Sequence, residues 1–173
     1  MDSQELREEL RSKGIEYDEY FHKAVYTSEE GHMLSLPHSQ AEAKNLFLES
    51  KKGFVLITVK SNKRVDLKAM AKALGFSSFS FAKEEDLRSI LSLSPGAVTP
   101  MGLLNDVERR VKFYLDSDFK DGKIYVHPME NTSSMLLSSS DLFRFFSMYG
   151  IECNWSDIKT KEEWNGKECE VFF

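Results

Sequence analysis

The sequence is short of the features that would assign it a chemistry at sight. It has only two cysteines in 173 residues, Cys153 and Cys169. They form no C-x-x-C pair and no His/Cys cluster surrounds them, which excludes a four-ligand structural zinc site. The four histidines, His22, His32, His38 and His127, never stand at helical metal-ligand spacing, so neither a metal nor another cofactor is expected. No apolar run approaches the roughly 20 residues needed to cross a bilayer. The opening residues Met1-Asp2-Ser3-Gln4-Glu5 are polar and acidic, unlike a secretory leader. A cytoplasmic protein with reduced thiols and no membrane partner is expected. The G-x-S-x-G elbow is missing, as are H-E-x-x-H, the P-loop and G-x-G-x-x-G. A basic surplus is missing too: the net charge of −5 argues against a duplex-DNA binder.

What is present is ordinary in bulk and uneven in detail. A chain of 173 residues, 41% hydrophobic and 29% charged, suits one globular domain. At this size it buries roughly 70% of its unfolded surface, enough to fold without a staple. Residues 1–30 carry nine acidic and four basic side chains. Residues 51–72 carry Lys51, Lys52, Lys60, Lys63, Arg64, Lys68 and Lys72 against Asp66 alone. That segment is either a solvated face or a local site for a polyanion.

Periodicity supplies the elements. Leu6 and Leu10 with Gly14 read as a short helix and its stop. Tyr17–His22 reads as a strand. Asn45–Leu48 and Phe54–Val59, joined by Lys51-Lys52-Gly53, read as a hairpin. Asp66 is placed to cap a helix carrying Leu67, Met70, Ala71 and Leu74, ended by Gly75. Phe79 and Phe81 suggest a short strand, and Leu87, Ile90 and Leu91 another helix. Ser94–Gly102, with two prolines and two glycines, reads as loop. Strands are expected at Arg110–Leu115, Lys123–His127 and Met135–Leu137. Ser138 and Asp141 open a helix through Leu142, Phe145, Phe146 and Tyr149, and a last strand is expected near Glu152–Trp155. Hairpins among interleaved helices predict an α+β domain with a mixed, largely antiparallel sheet. The domain is expected over 1–158, followed by a polar C-terminal tail, 159–173.

Three segments carry more. They are Ala43-Lys44-Asn45-Leu46-Phe47-Leu48, then Pro95-Gly96-Ala97-Val98-Thr99-Pro100 running to Gly102-Leu103-Leu104-Asn105-Asp106, and His127-Pro128-x-x-Asn131-Thr132. Arg64-Val65-Asp66-Leu67-Lys68 lies between the first two. In this order they resemble the YbaK/ProX family, which is similar to the editing domain of bacterial prolyl-tRNA synthetases. The K-N-L-F-L and H-P-x-x-N segments resemble the ProX branch. Ser39–Ala43 lacks the glycine that ProX relatives often carry just before K-N-L-F.

The resemblance implies a trans-editing deacylase that hydrolyses the ester of mischarged Ala-tRNA(Pro). Its partners would be the tRNA(Pro) acceptor end and prolyl-tRNA synthetase. It implies Lys44, the Gly96 loop and His127 as catalytic, with Asn45, Val98, Pro100 and Asn131 binding substrate. Lys60, Lys63 and Arg64 would meet the tRNA. Tyr20, His22 and Thr27 fall in a looser N-terminal match. The implied mechanism has water attack the aminoacyl carbonyl, aided by the ribose hydroxyl of the terminal adenosine. Loop N–H groups then stabilise the oxyanion. Two other readings stay open: a deacylase for Cys- or Ser-tRNA, and a non-catalytic tRNA-binding module of the same fold.

Overall fold

The computed structural model describes residues 1–26, 30 and 34–161. Thr27, Cys169 and most of the expected tail lie outside the described residues. Helices are α1 (Ser3–Ser12), α2 (Leu67–Leu74), α3 (Glu84–Leu91) and α4 (Ser139–Met148). Strands are β1 (Asp18–Phe21), β2 (Ala43–Ser50), β3 (Gly53–Lys60), β4 (Ser80–Phe81), β5 (Val111–Asp116), β6 (Lys123–Val126), β7 (Ser133–Ser138) and β8 (Cys153–Ser156). The α+β expectation holds.

Local signals act as their chemistry predicts. Asp66 accepts from the Ala69 amide at 3.0 Å and caps α2, which ends at Gly75 with φ +83°. Ser138 accepts from the Asp141 amide at 3.1 Å and caps α4. An unexpected capping box, Asp2 with Glu5, opens α1.

Two features depart from the sequence expectation. The strands form two sheets: β1-β7-β6, all antiparallel, and a five-stranded sheet ordered β4-β2-β3-β5-β8. In the larger sheet β5 runs parallel to both β3 and β8. Its two crossovers carry α2 through the 94–105 segment and β6 through α4. The segment read as loop also contains a 3-10 helix, Pro100–Asn105. Proline suits its first position because that N–H has no intrahelical partner, and Thr99 caps it by accepting from the Met101 amide at 3.2 Å. Before β2, where relatives place a glycine, His38 takes the left-handed conformation (φ +58°) and a 3-10 turn, Ser39–Ala41, follows.

Strand alternation divides the core. Phe47, Leu56, Phe113 and Leu115 face Ile124, Val126, Met135 and Leu137 of the smaller sheet, with α1, α3 and α4 closing the sides. The opposite face, Leu46, Leu48, Val55, Ile57 and Val59, packs on Met70 and Ala71 of α2. Lys159–Lys161, expected as the start of the tail, dock on this unit. Lys159 O accepts from the Asp66 amide at 2.8 Å, Lys161 N donates to Arg64 O at 3.0 Å, and Thr160 bridges Val65.

One buried carboxylate ends the central strands. Asp116 is fully buried. It accepts from the Lys60 amide (3.0 Å), the Asp118 amide (3.0 Å) and Lys63 Nζ (2.9 Å). Asp116→Ala would leave two amides without their acceptor and the Lys63 ammonium with Asp118 as its remaining carboxylate partner. Hydrogen bonds to a charged group contribute about 1.5–3 kcal/mol each, so a loss of about 3 kcal/mol is expected in a urea unfolding midpoint. Asp116→Asn should recover part of it. A loss under about 1 kcal/mol for the alanine variant would remove Asp116 from the stabilising set.

Candidate functional site

Lys44 and Asn45 lie near the start of β2, opposite Val59 and Thr58 of β3. Both are buried, at 6% and 4% exposure. Neighbours on a strand leave it on opposite faces. Lys44 shares its face with Leu46 and Leu48, whereas Asn45 shares the face of Phe47. Both ends of the Asn45 amide are engaged. Thr58 Oγ1 donates to Asn45 Oδ1 at 2.6 Å, and Asn45 Nδ2 donates to Val98 O at 3.0 Å. The Gly96 loop is thereby tied to the hairpin through Asn45. The residue expected to bind substrate holds the loop, and the register sends Lys44 from the other face at the strand's end.

The loop itself is buried from Gly96 to Leu103. Gly96 has φ +85°, a conformation that glycine adopts without strain. Ala97 N donates to Ser94 O at 3.0 Å, while the amides of Gly96, Val98 and Thr99 donate to none of the described residues. Buried backbone N–H groups are nearly always paired. A cluster of uncommitted amides in a buried loop is therefore a candidate anion-stabilising surface.

His127 and Asn131 sit on the turn between β6 and β7. His127 Nδ1 donates to Ser133 O at 3.1 Å, which makes Nε2 the acceptor in the neutral ring. Burial pushes the His127 pKa below the usual histidine value, and the neighbouring His22 adds to that against the Ser133 carbonyl. The two imidazole centroids are 6.5 Å apart. His22 Nδ1 donates to Lys23 O at 2.7 Å, so Nε2 accepts from Ser134 Oγ at 2.8 Å.

The turn is braced from two sides. Asn131 Nδ2 donates to Val25 O at 3.0 Å, Val25 N donates to Asn131 O at 3.3 Å, and His22 N donates to Thr132 O at 2.9 Å. From α1, Arg7 grips Glu19 through Nε (3.0 Å) and Nη2 (2.7 Å) and reaches Glu130 at 2.9 Å. Glu19 in turn accepts from Ser133 Oγ at 2.9 Å. Pinning Val25 carries Tyr26 to the Gly96 loop. The Tyr26 ring occupies the space a side chain on Gly96 would need, its Cδ1 2.4 Å from the position of such a Cβ. The loop and the turn are thus joined by residues 22–26. Tyr26 carried no motif in the sequence; only the three-dimensional contact with Gly96 singles it out. Tyr20, opposite Ser134 in the β1–β7 pairing, has its ring 6.1 Å from that of Tyr125.

The basic segment is partly spent inside the fold. Lys63 Nζ pairs with Asp116 at 2.9 Å and Asp118 at 2.7 Å. Lys60 Nζ donates to Gln40 O and lies 4.3 Å from the centroid of Phe119. Burial lowers the Lys60 pKa against the pull of Asp116 and Asp118. Arg64 supplies its carbonyl to Lys161. Lys51, Lys52, Lys68 and Lys72 are exposed.

Other chemistries find little support among the described residues. No group of three or more His, Cys, Asp or Glu side chains is placed to hold a metal ion. Burial pushes the Cys153 thiol up to about 12, far from thiolate reactivity at neutral pH. No helix is long and apolar enough to cross a membrane.

The lowered His127 pKa has a measurable consequence. Below the unfolded value of about 6.5, the unfolded chain takes up a proton that the native imidazole resists. Stability from this group is complete above that pH and is lost as pH falls toward the lowered native value. Urea midpoints from pH 7 to 5 should fall more steeply for wild type than for His127→Gln. Parallel profiles would show that His127 does not set the slope.

Comparison with known proteins places this geometry. Residues 22–145 match the aminoacyl-tRNA editing domain, a span that includes Lys44, the Gly96 loop and the His127 turn. The chain is 37% identical over 156 residues to prolyl-tRNA synthetase associated domain-containing protein 1 of Bos taurus, covering 84% of this chain and 88% of that protein. It is 33% identical over 139 residues to the prolyl-tRNA editing protein ProX of Acetoanaerobium sticklandii, covering 79% and 85%. A crystal structure described as a candidate trans-editing enzyme for prolyl tRNA synthetase superposes with a TM-score of 0.68 at 18% identity, over 92% of this chain and 97% of that one. At that identity the likeness is one of fold. By its matched length and by these relatives, the chain belongs to the aminoacyl-tRNA editing domain family.

Proposed function

We propose that this protein is a trans-editing deacylase that hydrolyses the ester of mischarged Ala-tRNA(Pro) in the cytoplasm. The observation that carries the reading is the buried Gly96–Pro100 loop, tied to Asn45 through Val98, with amides at Gly96, Val98 and Thr99 that no described residue engages. An aminoacyl ester needs only modest assistance, because its leaving group is already activated. Water adds to the carbonyl carbon, and the oxyanion that forms is held by the loop amides. The C–O bond to the ribose then breaks, releasing free amino acid and the tRNA hydroxyl. No protein nucleophile is required. The vicinal ribose hydroxyl orients the attacking water, and most of the rate comes from positioning.

Lys44 and His127 complete the site in this reading. Lys44, buried near the start of β2, supplies in this reading a compact cation for a carbonyl or phosphate of the acceptor end. His127, neutral near pH 7 by the direction of its shift, bounds the acyl pocket with Asn131. The rationale for such an enzyme is a size filter. A pocket built for proline cannot strongly reject alanine, because missing methylenes are worth only about 1–3 kcal/mol. A second, smaller pocket admits alanine and turns proline away. The similarity to ProX and to proteins associated by name with prolyl-tRNA synthetase supports tRNA(Pro) as carrier and that synthetase as partner.

Purified protein should hydrolyse alanyl-tRNA(Pro) roughly 5- to 150-fold faster than prolyl-tRNA(Pro), the range that about 1–3 kcal/mol of overpacking allows. Lys44→Ala should abolish turnover while keeping the native circular-dichroism spectrum. Faster clearance of Cys or Ser esters would replace alanine as substrate. Absence of hydrolysis on every ester would leave a binding module.

The tRNA backbone is expected along the basic segment. With Lys60 and Lys63 engaged internally, phosphate contacts fall to the exposed lysines Lys51, Lys52, Lys68 and Lys72. Neutralising Lys68 and Lys72 with glutamine should flatten the plot of log binding constant against log salt by about 0.7–0.9 per lost contact. An unchanged slope would make the segment a solvated face.

A further inference from the structure

We propose that Tyr26 and Gly96 together form a binding platform for a nucleobase, the terminal adenine of the RNA whose ester is cleaved; the inference rests on the editing reading above. Tyr26 is 52% exposed although its ring edge presses on Gly96. Part of the side chain therefore packs on the loop while about half of the residue's surface meets solvent. A large aromatic side chain gains little from this position unless something covers it, and the backbone around it is held in place. Val25 is bonded to Asn131 through both its N–H and its C=O, and Tyr26 N donates to Glu30 Oε2 at 3.4 Å. The ring is thus delivered to the loop by neighbours on both sides.

Gly96 is the other half of the device. Any Cβ there would meet Cδ1 of Tyr26 at 2.4 Å, with Cε1 and Cγ at 3.2 and 3.3 Å. These atoms are close to the root of the ring, so a larger residue would swing the whole side chain. The absence of a side chain at 96 therefore sets where the aromatic face stands relative to the uncommitted loop amides. A base stacked on that face would anchor the 3′ end next to the loop that receives its ester. Stacking engages the π-face of the base and not the ester, so it leaves the loop amides for the oxyanion.

The probe is the trinucleotide CCA, titrated into the full chain and followed calorimetrically. Wild type and Tyr26→Phe should bind alike, because the aromatic face is kept. Tyr26→Ala should bind roughly 5- to 150-fold more weakly, the range seen when a base loses its aromatic partner. Tyr26→Leu, which keeps an apolar contact with Gly96 but offers no π-face, should resemble alanine and serves if the alanine variant does not fold. A trinucleotide with an abasic third position should bind wild type and Tyr26→Leu equally. The proposal is overturned if wild type does not bind CCA, if Tyr26→Leu binds it like wild type, or if the abasic probe shows the same loss. Hydrolysis is assayed separately on the same samples. Tyr26-dependent CCA binding without hydrolysis of any misacylated tRNA would overturn the deacylase reading and leave the platform standing.

Discussion

The candidate site depends on one side-chain amide. Asn45 is buried between the central hairpin and the Gly96 loop, accepting from Thr58 and donating to Val98. A buried amide left unsatisfied costs about 1–3 kcal/mol per group, so each of the three partners constrains the others. Thr58 lies directly across from Asn45 in the β2–β3 register, and a slip of one residue would break the link. The loop's position is therefore a consequence of strand pairing.

The turn that carries His127 is held by a separate system of charges and backbone bonds. Arg7 gathers Glu19 and Glu130, and Glu19 passes the constraint to Ser133, whose carbonyl fixes the His127 tautomer. These residues come from α1, β1 and the β6–β7 turn, which are distant in sequence. Arg7 and Glu19 keep only 18% and 11% of their side-chain surface exposed, so removing either partner would leave a largely buried charge uncompensated. Residues 22–26 connect the two systems, with Asn131 at one end and Gly96 at the other.

Much of the fold was legible because its signals are local. The cap at Asp66, the apolar spacing to Leu74 and the stop at Gly75 specify α2 without reference to anything else. The same holds for the β2–β3 hairpin. The division into two sheets was not legible, because β1 pairs with β7 across more than a hundred residues and no local pattern encodes that choice. Within the candidate site, motif order singled out segments and left their tertiary relations unread. Asn45 resembles a ligand-binding amide until its two partners are seen. Lys63 resembles a surface cation until Asp116 and Asp118 enclose it. Tyr26 sits in no motif at all.

The parallel pairing of β3 with β5 bears on how the chain acquires its form. The Gly96 loop lies within the long crossover between those two strands. Closing such a span costs entropy before any ladder bond offsets it, and topologies dominated by distant pairings fold in milliseconds to seconds rather than microseconds. During synthesis at about 5–20 residues per second, Lys44 and the hairpin leave the ribosome well before β5. The β6–β7 turn emerges later still. Nascent chains carry the pieces of the candidate site without their arrangement, so the site exists only with completion of the whole domain.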